Sequence, residues 1–345
     1  MTDLDTIDRG LLNLLQWDFP LEGRPFTSLG RRVGLSEAEV INRIERLKAA
    51  GIIRQISAIF DTQRLGYQSS LVAFRVDPRR IDQAAAIVNQ HPGVSHNYQR
   101  DHAYNLWFTI AVPPDTDLGG TVHRLAELSQ PEKMLLLPAL KVYKIGVRLD
   151  MADRGQIAER EEIEKSAPVK EQEHPTFSDR EIAAIRALQR DLPIIADPFG
   201  HLSQELNVPT EELVSLAKQF LERGQMRRYA AVLNHRKLGY GGNVMAVWVV
   251  PEERMDECGG IMASFKAVSH CYRRPTYPDW PYSLFTMIHD RSEEGCMTMA
   301  RAISSQTGLK NYALLFSNRE FKKTRVQYFS EEGEMSTLRT PCVQG

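Results

Sequence analysis

Apolar residues near the start of the chain recur at helical spacing. Ile7, Leu11, Leu14 and Leu15 fall on one helix face, and Leu29, Val33 and Leu35 mark a second, shorter helix. Ser36-Glu37-Ala38-Glu39 places an N-cap serine three residues before a glutamate, which starts a third helix; Val40, Ile44 and Leu47 carry it to a stop at Gly51. Ile52-Ile53-Arg54-Gln55-Ile56 then begins a strand. Helix, short helix, turn, helix and strand outline a winged helix-turn-helix.

Beyond this point the period alternates between two and 3.6. Strands are predicted at 70–76, 96–98, 106–112 and 140–147, with helices at 81–89 and 122–128 between them. That β-α-β-β-α-β order is the ferredoxin-like sandwich. The same succession returns later: Ile182, Ile185 and Leu188 open a helical pattern, and the second ferredoxin-like set is predicted at 244–250, 255–265, 270–273, 284–288, 293–307 and 312–319.

The return is a duplication in the literal sense. Fifty positions, 18–67, align without a gap on 191–240 with twelve identities, among them Pro25-Phe26 with Pro198-Phe199, Gly51 with Gly224, Arg54 with Arg227 and Leu65-Gly66-Tyr67 with Leu238-Gly239-Tyr240. The chain is therefore expected to be an α+β protein made by tandem duplication of a winged helix-turn-helix followed by a ferredoxin-like βαββαβ domain, an internal pseudo-dimer. The expected divisions are a helix-turn-helix domain at 1–66, a ferredoxin-like domain at 67–150, an acidic linker at 151–177, a second helix-turn-helix domain at 178–239, a second ferredoxin-like domain at 240–332 and a tail at 333–345.

Composition changes this picture little. With 345 residues, 42% hydrophobic and 25% charged, the chain has the make-up of an ordinary soluble protein. No apolar run approaches the roughly 18 residues of a membrane span, and the N-terminus is acidic, unlike a signal sequence, so a cytoplasmic protein is expected. Residues 151–181 carry 5 basic and 9 acidic side chains, whereas the flanking halves are nearly neutral; the acid excess belongs to the linker. Cys258, Cys271, Cys296 and Cys342 form no CxxC pair, which argues against a zinc site and against a disulfide framework.

Candidate chemistry lies in a second repeated segment. Val94-Ser95-His96-Asn97-Tyr98-Gln99-Arg100 meets Val268-Ser269-His270-Cys271-Tyr272-Arg273-Arg274 at an offset of 174. The architecture resembles the Lrp/AsnC family of regulators twice over. More specifically, SHNYQRDHAYNLWFT (95–109) and SHCYRRPTYPDWPYSLFTMIH (269–289) resemble the signature segments of the sirohaem decarboxylases, and a chain with both halves is similar to their fused NirD–NirL type, which serves d1-type haem biosynthesis. The resemblance implies an enzyme, a carboxy-lyase that removes two acetate carboxyls from sirohaem to give 12,18-didecarboxysirohaem. It implies sirohaem or a related iron porphyrin as the bound partner, with other d1-type haem biosynthesis proteins as candidate associates. No separate cofactor or metal is expected, because the iron tetrapyrrole is itself the substrate.

Loss of carbon dioxide from a pyrrole acetate leaves a carbanion that needs an electron sink, supplied by the macrocycle, and then a proton. His96, His102, Tyr98 and Arg100 are the catalytic candidates, the two histidines being expected to face a common cleft. Histidine suits acid work near neutral pH, worth about 10²–10⁴ in rate, and is equally a ligand for iron, so His96 or His102 serves as either. A substrate with eight carboxylates calls for arginines, which pair bidentately with them. Arg54, Arg227, Arg228, Arg273 and Arg274 are the anchoring candidates, joined by His270, Tyr104, Tyr272 and Tyr282. The second half has 275–281 in place of Asp101-His102-Ala103 and no equivalent of His102, which points to the first half for the main acid chemistry.

Two other readings compete. Asn42, Arg43, Arg46 and Lys48 would permit a DNA-binding regulator, yet the matching helix of the second half has Glu211 and Glu212 against one lysine, so specific DNA binding is not expected. A non-catalytic haem sensor is the third.

Overall fold

The computed structural model describes residues 4–146, 175–239 and 241–330. The expected linker, apart from 175–177, and the expected tail lie outside the described residues. The first half runs α1 (Thr6–Trp17), α2 (Pro25–Val33), α3 (Glu37–Ala49), β1 (Ile53–Phe60), β2 (Gln68–Arg75), α4 (Ile81–Gln90), β3 (Val94–Arg100), β4 (Leu106–Val112), α5 (Leu118–Ser129), β5 (Lys133–Leu137) and β6 (Lys141–Ile145). The second runs α6 (Asp179–Leu188), α7 (Pro198–Glu205), α8 (Thr210–Glu222), β7 (Met226–Leu233), β8 (Gly242–Trp248), α9 (Met255–Ser264), β9 (Val268–Arg273), β10 (Leu284–Asp290), α10 (Glu293–Thr307) and β11 (Tyr312–Lys323). The chain is thus α+β, with the predicted succession of elements in the second half and one strand more, β5, in the first.

The chain sorts into two compact units that cut across the repeat: the described parts of 1–65 and 139–316 form one, those of 66–138 and 317–345 the other. The larger unit holds both helix-turn-helix pairs and the sheet of the second half. Its helix-turn-helix pairs are joined by an antiparallel ribbon in which β1 pairs with β7, Ile53 opposite Leu233 and Phe60 opposite Met226. Helices α3 and α8 both end at a glycine in the left-handed region, Gly51 and Gly224. The exposed carbonyls there are reached reciprocally: Lys237 Nζ donates to Ala50 O at 2.8 Å and Arg64 Nη1 to Arg223 O at 3.2 Å. Under the ribbon, Phe19 meets Tyr229 at 5.2 Å between ring centroids, and Tyr229 meets Phe199 at 5.4 Å.

The sheets correct one expectation. The strand predicted to close the first half's sheet, 140–147, does not do so: β5, which is not among the predicted strands, pairs with β2, and β6 pairs with β9 of the second half. Reciprocally, the start of β11 pairs with β8 in the larger unit, while its end, from Ser317 on, pairs with β3 in the smaller one. Each half thus keeps a closing strand of its own, β5 or the start of β11, and lends a further strand, β6 or the end of β11, to the other half's sheet. Periodicity recognises a strand but carries no information on its partner, which long-range edge pairing decides.

Helices cover one face of each sheet. Val72, Phe74, Val94, Phe108 and Ile110 pack with Ala84, Val88, Val122 and Leu125 in the smaller unit; Val244, Trp248, Val268 and Ile288 pack with Met262, Met299 and Ile303 in the larger. Each core buries well over ten apolar side chains, at about 1.5–3 kcal/mol apiece before conformational entropy is subtracted. Cys258, Cys271 and Cys296 are buried free thiols. No helix among the described residues is long and apolar enough to cross a membrane.

Candidate active site

Strand alternation sends the repeated motif to two different faces. In β3, Asn97 points to the helices, where its Nδ2 donates to Asn89 Oδ1 at 2.9 Å. His96, Tyr98 and Arg100 therefore project from the opposite face. In β9, Cys271 points to the helices, its thiol 3.7 Å from Gly259 O, and His270, Tyr272 and Arg274 take the other side. The same ladder is built twice: His96 lies 6.1 Å from Tyr98 and His270 5.9 Å from Tyr272 between ring centroids, while Arg100 stands 5.7 Å over Tyr98 and Arg274 4.8 Å over Tyr272.

Each ladder starts at a β-bulge. The register slips between Val94 and His96 and between the partners of Met287 and Ile288, so Ser95 and Ser269 are the extra residues. Both serines turn a hydroxyl to the neighbouring imidazole: Ser95 Oγ is 3.0 Å from His96 Nδ1, and Ser269 Oγ 2.8 Å from His270 Nδ1. With Nδ1 engaged, chemistry on a bound molecule runs through Nε2. The serines are themselves held, Ser95 by Thr109 Oγ1 at 2.8 Å and Ser269 by His289 Nε2 at 2.8 Å.

The arginines are the electrostatic centre of each ladder. Arg100 and Arg274 are 6% and 9% exposed, and burial lowers both from the usual 12.5 to about 10, with Tyr98 and Tyr272 respectively opposing the shift. Cation–π contact with the tyrosines, and of Arg274 with Phe285 at 5.5 Å, offsets part of that cost. Burial pushes the Tyr272 hydroxyl up, with Arg274 and Arg227 pulling it down and Asp61 adding to the rise. Arg227, on the ribbon, is thereby brought within electrostatic reach of the β9 face while paired to Asp61 at 2.8 Å.

Other sequence-derived candidates are placed elsewhere. Arg273 faces the helices and pairs with Glu252 at 2.8 Å, because it alternates with Tyr272 and Arg274. Arg228 lies 4.4 Å over the Trp17 ring, and Arg54 is exposed on β1. Tyr282 packs edge-on to buried Trp280 at 4.9 Å beside Phe285. His102 sits in the turn after β3, its Nδ1 accepting from Tyr104 N at 3.0 Å and its ring stacked on buried Tyr104 at 6.3 Å. Four residue steps of strand separate His96 from Arg100, about 13 Å at the usual rise, and His102 follows in the turn, so the two histidines stand at opposite ends of the ladder. Burial lowers His102, with Asp101 opposing.

The cations of α3 are taken up internally. Arg43 and Arg46 bind the buried Asp8 at 2.7 and 2.6 Å, Arg43 also binds Asp5 at 2.8 Å, and Lys48 binds Asp191 at 2.6 Å. A helix whose arginines and lysine hold its own fold has few charges left for phosphates. Among the described residues no group of three His, Cys, Asp or Glu side chains is placed to hold a metal ion.

Fold and ladders together define a tandem helix-turn-helix and ligand-binding protein of AsnC-like build. Two family models match accordingly, each twice: an AsnC-like ligand binding domain over 64–144 and 237–322, and a siroheme decarboxylase NirDL-like HTH domain over 8–54 and 181–227. The chain belongs to the siroheme decarboxylase family of NirDL type. It is 41% identical over 325 residues to the siroheme decarboxylase of Hydrogenobacter thermophilus, covering 94% of this chain and 95% of that one, and 33% identical to the NirDL subunit of Paracoccus denitrificans, covering 93% and 96%. A crystal structure of siroheme decarboxylase NirDL in complex with an iron-uroporphyrin III analogue superposes with a TM-score of 0.74 at 36% identity, covering 96% of both chains. A beta subunit from Methanosarcina barkeri, 44% identical, covers 43% of this chain and 97% of its own length, the size of one half.

Proposed function

We propose that the chain is a sirohaem decarboxylase that removes two acetate carboxyls to give 12,18-didecarboxysirohaem, working in the cytoplasm on d1-type haem biosynthesis. The observation that carries this is the twice-built His–Tyr–Arg ladder with its serine-held imidazole, in a chain of this family. At each acetate the bond between the methylene and the carboxyl carbon breaks, carbon dioxide leaves, the electron pair enters the macrocycle, and a proton returns to the methylene to make a methyl. Each event consumes one proton.

The residues divide the work by position. Arg100 and Arg274 hold carboxylates of the ring periphery through charge-assisted hydrogen bonds in a site kept from water. His96 and His270 present Nε2 to the ligand, as proton donor or as iron ligand, with Ser95 and Ser269 setting the ring orientation. Tyr98 with Trp107 opposite it on β4, and Tyr272 with Phe285 opposite it on β10, give apolar walls that favour loss of a charged carboxylate as neutral carbon dioxide. His102 and Tyr104 serve the far end of the first-half ladder, and Arg227 with Asp61 the ribbon side of the second.

Anaerobic incubation of the purified chain with sirohaem, followed by mass spectrometry, tests this reading. The expected product lacks two carbon dioxide units. Unchanged sirohaem that nonetheless binds tightly would make the chain a sensor.

A further inference from the structure

The exchanged strands place different side chains beside otherwise equal ladders. In the smaller unit β11 runs along β3, with Glu320 opposite Tyr98 and Lys323 opposite His96. In the larger unit β6 runs along β9, with Val142 opposite Tyr272 and Ile145 opposite His270. Both strands carry a one-residue irregularity at the matching place, Phe321 and Tyr143, whose rings turn to the helical cores. The neighbours of that bulge repeat as well: Lys322 Nζ donates to Asn89 O at 2.9 Å and Lys144 Nζ to Phe265 O at 2.9 Å, both at helix C-termini. The two strands are therefore in the same register, and directly opposed residues share a face. What differs is the chemistry on the ladder face: a lysine and a glutamate 4.0 Å apart in one case, two aliphatic side chains in the other, Ile145 being 44% exposed.

We propose, resting on the decarboxylase reading, that these strands determine what each half accepts at the ring edge beside its histidine. Lys323 recognises an acetate carboxylate next to His96. Ile145 and Val142 give the His270 face an edge suited to a methyl group, as on a periphery that has already lost a carboxyl. The two ladders are then matched to successive states of one substrate. Lys323 acts as a specificity-determining residue, supplied to the first half's face by the second half of the sequence.

Iron uroporphyrin III carries acetates and propionates, and iron coproporphyrin III keeps the propionates but has methyls in place of the acetates. Titrating the full chain with each, followed at the Soret band and fitted to two sites, isolates the acetate contribution. Lys323→Met is expected to weaken one iron uroporphyrin III site about tenfold, the scale of one charge-assisted hydrogen bond, and to leave iron coproporphyrin III within about twofold. Lys323→Arg restores binding, and Ile145→Lys strengthens the other uroporphyrin site. Equal losses for both porphyrins, or no loss for either, overturn the assignment of Lys323 while leaving the decarboxylase reading standing. Failure of the unmodified chain to bind either porphyrin overturns both.

Discussion

Replacing Arg274 separates binding from folding, because the two respond with opposite sign. The guanidinium is 9% exposed and its pKa falls to about 10 from 12.5. At about 1.4 kcal/mol per tenfold, that corresponds to about 3 kcal/mol spent on keeping the charge in the fold. Cation–π contact with Tyr272 and Phe285 returns about 1–2 kcal/mol. Arg274→Met, similar in length and apolar, is therefore expected to stabilise the ligand-free chain by about 1–2 kcal/mol, or roughly 2–4 °C in Tm, since an apolar replacement of a buried charge is often stabilising. The same change removes a carboxylate partner and is expected to raise the Kd for iron uroporphyrin III by about tenfold or more. The pH dependence follows from the direction of the shift. With the folded value below the unfolded one, the penalty is complete at neutral pH and shrinks as pH rises through about 10 toward 12.5, so the Tm gap between variant and parent narrows there. Scanning calorimetry and a Soret titration read both quantities. A lowered Tm with unchanged porphyrin affinity would refute the reasoning and make Arg274 a packing residue.

Three further outcomes are expected. His96→Ala should lower turnover by about 10²-fold or more with folding intact, while His102→Ala, at the hairpin turn, should act more on KM than on kcat; steady-state assay of carbon dioxide release distinguishes the two, and normal turnover in His96→Ala rejects the proton-donor or ligand role. His91, lowered to about 4 by burial and by the charge of Lys322, stays neutral in the fold while the unfolded chain takes up a proton near 6.5. Stability should thus fall as pH drops from 6.5 to 4, and chemical denaturation of His91→Gln should show a flatter profile across that window. Finally, with Arg43, Arg46 and Lys48 bound to Asp8, Asp5 and Asp191, a mobility-shift assay at physiological salt should find no operator bound with nanomolar affinity.

The helices, the helix-turn-helix repeats and the strands bearing the motif were legible because their signals are local: the capping box at Ser36, the glycines Gly51 and Gly224 at matching positions, and alternation through β3 and β9. Alternation also implied that Tyr98 and Arg100 share a face, as they do. It equally implied that Arg273 does not share one with Arg274, a consequence that the count of arginines obscured. Ser95 and Ser269 stood in the repeated motif at the matching offset and were readable as imidazole partners; the bulge that turns their hydroxyls was not, since it depends on the register with β4 and β10. The side chains on β6 and β11 were out of reach altogether. Their meaning comes from a neighbour more than a hundred positions away, and nothing in a heptad or a dyad of residues records it. The internal pairing of Arg43 and Arg46 was hidden for the same reason.

The strand exchange has a consequence for inheritance. A substitution at Lys323 arises in the second half of the coding sequence but is felt beside His96, and one at Ile145 arises in the first half but is felt beside His270. Were the halves on separate genes, each would have its recognition surface edited by mutations in the other, and recombination could bring together versions never selected in company. A single reading frame keeps the two contributors together in every descendant. It also lets the twin faces diverge, since neither half can drift alone without altering its counterpart.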